Sequence, residues 1–145
     1  MRLRVAAAVL VLVAVPLGAC GKDSASKADF LAAGGKICKG IDAKLMKINE
    51  IPTGEPTPEQ QQKLLSDISK ILEDATKELS ALDRPSEDRK TVDAFIAAME
   101  EGTAKIKEAT KSPEASVELL NSNTDPMEKA NDLADKYGLT ECGAQ

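Results

Sequence analysis

The stretch from Thr57 to Leu82 leaves little choice of conformation. Leu64, Leu65, Ile68, Ile71, Leu72, Ala75, Leu79 and Leu82 fall within one arc of a helical wheel. In front of them, Thr57-Pro58-Glu59-Gln60 supplies an N-cap hydroxyl, a proline at the first helical position and a glutamine that can reach back to the cap. Glu59 with Lys63 and Glu73 with Lys77 are favourably ordered pairs on the surface of the same helix. An apolar stripe of this kind needs other helices to cover it.

The rest of the chain supplies them. Ser26 can cap a first helix with Asp29 at its third position, and Phe30, Gly34, Ile37, Ile41, Leu45 and Ile48 recur at helical spacing behind it. Cys38 sits at the edge of that stripe. Pro52 to Pro58 is a loop, and Asp83-Arg84-Pro85 ends the second helix. Ser86 is the expected cap of a third helix, whose stripe is Val92, Phe95, Ile96, Met99 and Ile106; Gly102 beside Thr103 predicts a bend within it. Ser112-Pro113-Glu114 starts a short helix ending near Leu120. Asn121 to Thr124 is turn-like, and Asp125-Pro126-Met127-Glu128 predicts a capping box for a last helix that buries Ala130, Leu133, Ala134 and Tyr137. Gly138 closes it, with Leu139 placed for the hydrophobic contact of a Schellman motif. No segment alternates as a strand would. The expected fold is all-α: an up-and-down bundle of about four helices with one short extra turn, spanning residues 27–145.

Composition narrows the function classes. The 145 residues include no histidine and only three aromatics, Phe30, Phe95 and Tyr137, and the net charge is −5. Histidine is the commonest general base and metal ligand, and a nucleic-acid partner asks for a basic face, so neither a metal nor nucleic acid is expected. Ser66 and Lys70 lie one residue further apart than a Ser-x-x-Lys spacing, and the two members of Glu73-Asp74 and of Glu100-Glu101 point in different directions from a helix. Asn121 to Asp125 lacks the glycine and closing glutamate of a calcium loop. The expectation is a protein without catalytic residues and without a cofactor.

The chain begins with an address. Arg2 and Arg4 precede an uninterrupted apolar run from Val5 to Val15, eleven residues against the ~20 that a membrane-spanning helix needs. Pro16 and small residues follow. Leu17-Gly18-Ala19-Cys20 resembles the lipobox of bacterial lipoproteins. The resemblance implies a signal peptide over residues 1–19, cleavage before Cys20, and a diacylglycerol on its thiol. Residues 20–26 then form the lipidated cysteine and a short tether, and the membrane is a partner through acylated Cys20. A secreted protein cut after Ala19, or an uncleaved anchor, is the plainer alternative.

With Cys20 lipidated, Cys38 and Cys142 remain. Outside the cytoplasm such thiols are more often joined than free, which favours a structural disulfide over a redox pair or two buried thiols; no Cys-x-x-Cys occurs. The ending Ala130 to Gly143, with its Tyr137-Gly138-Leu139 and Cys142-Gly143, also looks like that of small helical lipoproteins of high-GC Gram-positive (actinobacterial) bacteria, which tend to carry an early cysteine in the first mature helix. That resemblance implies a disulfide-closed helical domain on the outer face of the cell membrane and says little about activity.

Two surfaces are candidates for what such a module does. Between Cys20 and Ile48 lie six lysines against three aspartates, whereas the remainder of the mature chain has 11 basic and 21 acidic side chains. Lys36, Lys39, Lys44 and Lys47 occupy the helix face opposite the apolar stripe and are candidates for resting on anionic headgroups; a solvated face is the plainer account. Phe95, Met99 and Ile106 could line a pocket between helices, although such stripes are more often core. The expected function is a membrane-anchored, non-enzymatic binding or structural module at the cell surface. The alternative is a carrier or sensor of an apolar small molecule or lipid. The protein partner or ligand is not named by the sequence.

Overall fold

The computed structural model describes residues 25–48 and 55–143, and among these all regular structure is helical. The signal segment 1–19, Cys20 and most of the tether lie outside the described residues, as does the first part of the proline-rich loop. The order is α1 (Lys27–Ile48), α2 (Pro58–Ser80), α3 (Arg89–Ala109), α4 (Pro113–Asn121), α5 (Glu128–Tyr137) and a single 3₁₀ turn, Thr140–Cys142. Among the described residues no helix is long and apolar enough to cross a membrane.

Three of the helix starts follow from side-chain oxygens that replace the missing carbonyls of the first turn. The Ser26 hydroxyl accepts from the Asp29 N–H at 3.1 Å, and the Asp29 carboxylate accepts from the Ser26 N–H at 3.3 Å. Thr57 and Gln60 do the same for α2, at 3.3 and 2.8 Å. Ser112 accepts from the Ala115 N–H at 3.1 Å to start α4.

The other two starts correct the sequence reading. Helix α3 begins at Arg89, three residues beyond Ser86, and its N-cap residue Asp88 makes no side-chain cap bond. The Asp88 carboxylate is taken instead by the Tyr137 hydroxyl, which donates to it at 3.0 Å across the bundle. Helix α5 begins at Glu128, without the expected capping box. Asp125 accepts from the Met127 N–H at 2.8 Å, a local turn that outcompetes the cap two residues short of the helix.

The long helices alternate in direction. Gln62 on α2 donates to the Thr110 carbonyl at 2.7 Å near one end of the α2–α3 pair, and Arg84 meets Asp93 at 2.8 Å near the other. Helix α5 returns along α3, with Met127 beside Gly102 and Tyr137 on Asp88. Helix α1 packs on α2, and α4 is the short extra piece, laid across α2 and α3. The core between them holds Phe30, Leu65, Leu72, Leu79, Val92, Phe95, Ile96, Met99, Ile106 and Leu139.

Gly102 shows why a poor helix former sits inside α3, which runs unbroken through it from Arg89 to Ala109. A Cβ there would lie 2.5 Å from the Met127 sulfur and 2.5 Å from the backbone oxygen of Pro126. The sulfur can swing aside but the carbonyl cannot. Gly102→Ala should therefore lower stability by about 1–3 kcal/mol through overpacking, although alanine alone favours helix by ~1 kcal/mol. Thermal unfolding checks this, and a gain in Tm would mean that α5 can retreat freely.

Candidate functional site

The C-terminal tail is built by one left-handed residue. Gly138 has φ 101°, open to glycine at no steric cost. The Leu139 N–H donates to the Ala134 carbonyl at 2.8 Å and the Gly138 N–H to that of Asp135 at 3.1 Å, the two bonds of a Schellman motif. This reversal turns the chain back along α1. Leu139, 2% exposed, packs over Gly34, and Cys142 is joined to Cys38 with 5.1 Å between their Cα atoms. The disulfide thus ties the tail to α1.

Beside it opens a cleft of about 270 Å³, bordered by Met99, Met127, Asp42, Asp125, Cys38 and Cys142. A second cleft, about 430 Å³, lies in the α2–α3 seam and is lined by Glu73, Thr76, Lys77, Glu100, Thr103, Ala104 and Lys107. Neither of these two clefts, both among the described residues, is lined by Phe95 or Ile106. Phe95, Met99 and Ile106 are 1%, 3% and 5% exposed and belong to the core, with Met99 also reaching the edge of the disulfide cleft.

Lys36, Lys39, Lys44 and Lys47 are all exposed on α1. Lys39 lies 3.2 Å from Glu141, a contact that the neighbouring disulfide brings about. One exposed side chain near them escaped the sequence reading. Met46 stands outside the apolar stripe and is 73% exposed; its position off the stripe was the available signal.

Carboxylates on the surface are held by lysines. Lys129 and Lys105 each donate to Glu101 at 2.9 Å, and these hydrogen bonds first, then the lysine charges, hold its carboxyl down at about 2. Lys107 bonds Glu73 and lowers its carboxyl below the ordinary value. In the segment Ser66 to Lys70, Ser69 donates to the Ser66 carbonyl at 2.9 Å, and Lys70 lies 3.9 Å from Asp67. Among the described residues no three acidic or cysteine side chains are grouped to hold a metal.

Tyr137 is shifted in the opposite direction. Burial first, and then the hydrogen bond and charge of Asp88, push its phenol up to about 12. Its ring meets Phe30 edge to face at 6.0 Å, and Lys27 lies over it at 4.3 Å. The folded value exceeds the unfolded one, so the stabilisation is complete below pH ~10 and is lost as the pH rises towards 12. As the chain's single tyrosine, it should show tyrosinate absorbance only well above its ordinary pH, together with loss of helix. Titration near pH 10 in a fully helical protein would contradict this.

Comparison with known proteins finds no matching family model, no similar curated protein and no similar solved structure.

Proposed function

We propose that the chain is a lipid-anchored extracytoplasmic lipoprotein, acting at the outer face of the cell membrane as a non-enzymatic binding or structural module. The observation that carries this reading is the fate of the cysteines. The fold uses Cys38 and Cys142 in one disulfide, which leaves only Cys20, the cysteine of the lipobox-like segment. A disulfide closing the whole domain also suits an oxidising compartment. Two acyl chains are what stable attachment requires, since one binds only marginally. The lysines paired with Glu73 and Glu101 keep those carboxylates ionised, which counts against either as a general acid.

Intact mass spectrometry of protein extracted from membranes without reductant tests the reading. The expected mass starts at Cys20, carries acyl chains and lacks the two hydrogens of the disulfide. An unacylated chain would overturn the anchor. A second reading, a carrier of an apolar molecule, is favoured by the α2–α3 cleft, whose size falls in the range of small-molecule sites. It predicts extra non-covalent mass under native conditions, lost when Thr103 and Ala104 are enlarged.

A further inference from the structure

The exposed face of α1 combines positive charge with an uncovered apolar side chain. At 100° per residue, Lys36, Lys39, Lys44 and Lys47 share an arc with Met46 and with the exposed alanines Ala32 and Ala43. Met46, at 73%, is the more exposed of the two exposed large apolar side chains among the described residues, the other being Leu120 at 42%. Asp29 also falls on the arc, but its carboxylate is tied to Ser26 at 2.6 Å. The remainder of the mature chain beyond Ile48 is strongly acidic. An anionic surface therefore attracts this face and repels most of the others.

We infer that α1 lies flat on the anionic leaflet, with the four lysines among the headgroups and Met46 inserted between them. This rests on the reading of Cys20 as the anchor, and it adds an orientation. The six residues between Cys20 and Lys27 reach at most ~20 Å, so the start of α1 is held within that distance of the bilayer. A helix of 22 residues is ~33 Å long. Standing on its N-terminus, it would carry Lys44 and Lys47 beyond the ~8–10 Å over which charge acts in physiological salt. Lying flat, it brings all four lysines within that distance and turns Met46 towards the acyl region. Lys39 can leave Glu141, because both partners are solvent-exposed.

The test places an environment-sensitive dye on Met46→Cys in the mature protein, with Glu118→Cys on α4 as the control. Both are read on vesicles of phosphatidylcholine alone and of phosphatidylcholine with phosphatidylglycerol. The expected result is a blue shift at position 46 with the anionic vesicles only, reversed by high salt and absent at position 118. Each lysine near the surface contributes about fivefold. The Lys36→Gln, Lys44→Gln, Lys47→Gln variant should therefore shift the balance away from the flat state about a hundredfold and abolish the signal. A dye at position 46 that stays in water on anionic vesicles overturns the inference, as does a shift indifferent to the three lysines. Cosedimentation with the neutral vesicles reads the anchor separately. Protein that fails to sediment there refutes the anchor, while the dye on anionic vesicles still decides the face.

Discussion

Replacing Cys38 and Cys142 together with alanine should cost the folded domain about 4–5 kcal/mol. The bond closes a loop with a sequence separation of 104, and in the chain-entropy model a cross-link of that span removes this much freedom from the unfolded chain. Strain in the native state would subtract from the figure, and a more compact unfolded state would too. Alanine is the appropriate replacement at position 38, where the side chain is 1% exposed and a serine hydroxyl would be buried. Urea unfolding should show the loss as a lower midpoint, and the thermal midpoint should fall by about 15–25 °C. Reductant should reproduce much of the effect in the native sequence and have none on the double variant. A loss below ~1 kcal/mol would mean that the tail holds to α1 through Leu139 and the Schellman turn alone.

The second large effect lies in the core. Phe95→Ala should cost about 3–5 kcal/mol, because a side chain 1% exposed is removed from a packed interior that closes only in part around the gap. The same substitution separates two descriptions of α3. If Phe95 lined a cleft ready to admit an apolar ligand, its loss would leave space already bounded by solvent. Less than ~2 kcal/mol would then be expected, with a binding defect in its place. The urea midpoint, at unchanged slope, distinguishes them.

Most of the helical architecture was legible because the interactions that set it are short-ranged. The caps at Ser26, Thr57 and Ser112 each join residues three apart, and the Gly138–Leu139 turn closes on Ala134 and Asp135. The stripe of α2 repeats at the helical period, so the burial of Leu65, Leu72, Ala75 and Leu79 could be read from spacing, though not that of Ser69 and Thr76. The starts of α3 and α5 differ from the sequence expectation for two separate reasons. A turn from Pro85 to Asp88 carries the chain past Ser86 before α3 starts, with the Asp88 carboxylate on Tyr137 49 residues away, and at Asp125 a tighter local turn wins. Spacing also left Phe95, Met99 and Ile106 undecided between core and pocket, since both need apolar residues on one helix face.

The candidate surfaces divide along the same line. Sequence alone determined that Lys36, Lys39, Lys44 and Lys47 share one side of a helix, that Cys20 stands in a lipobox-like segment, and that the chain folds as helices covering one another. Helix period and cap chemistry are local, and local chemistry is written in neighbouring residues. Only the tertiary structure decided that Gly102 is a seat for the Pro126 carbonyl, that Asp88 holds Tyr137, and that Cys142 reaches Cys38 with Glu141 set beside Lys39. Those contacts join segments far apart in the chain, and they depend on the directions in which whole helices run. That is fixed when the apolar faces are buried against one another, a step no single window of sequence contains.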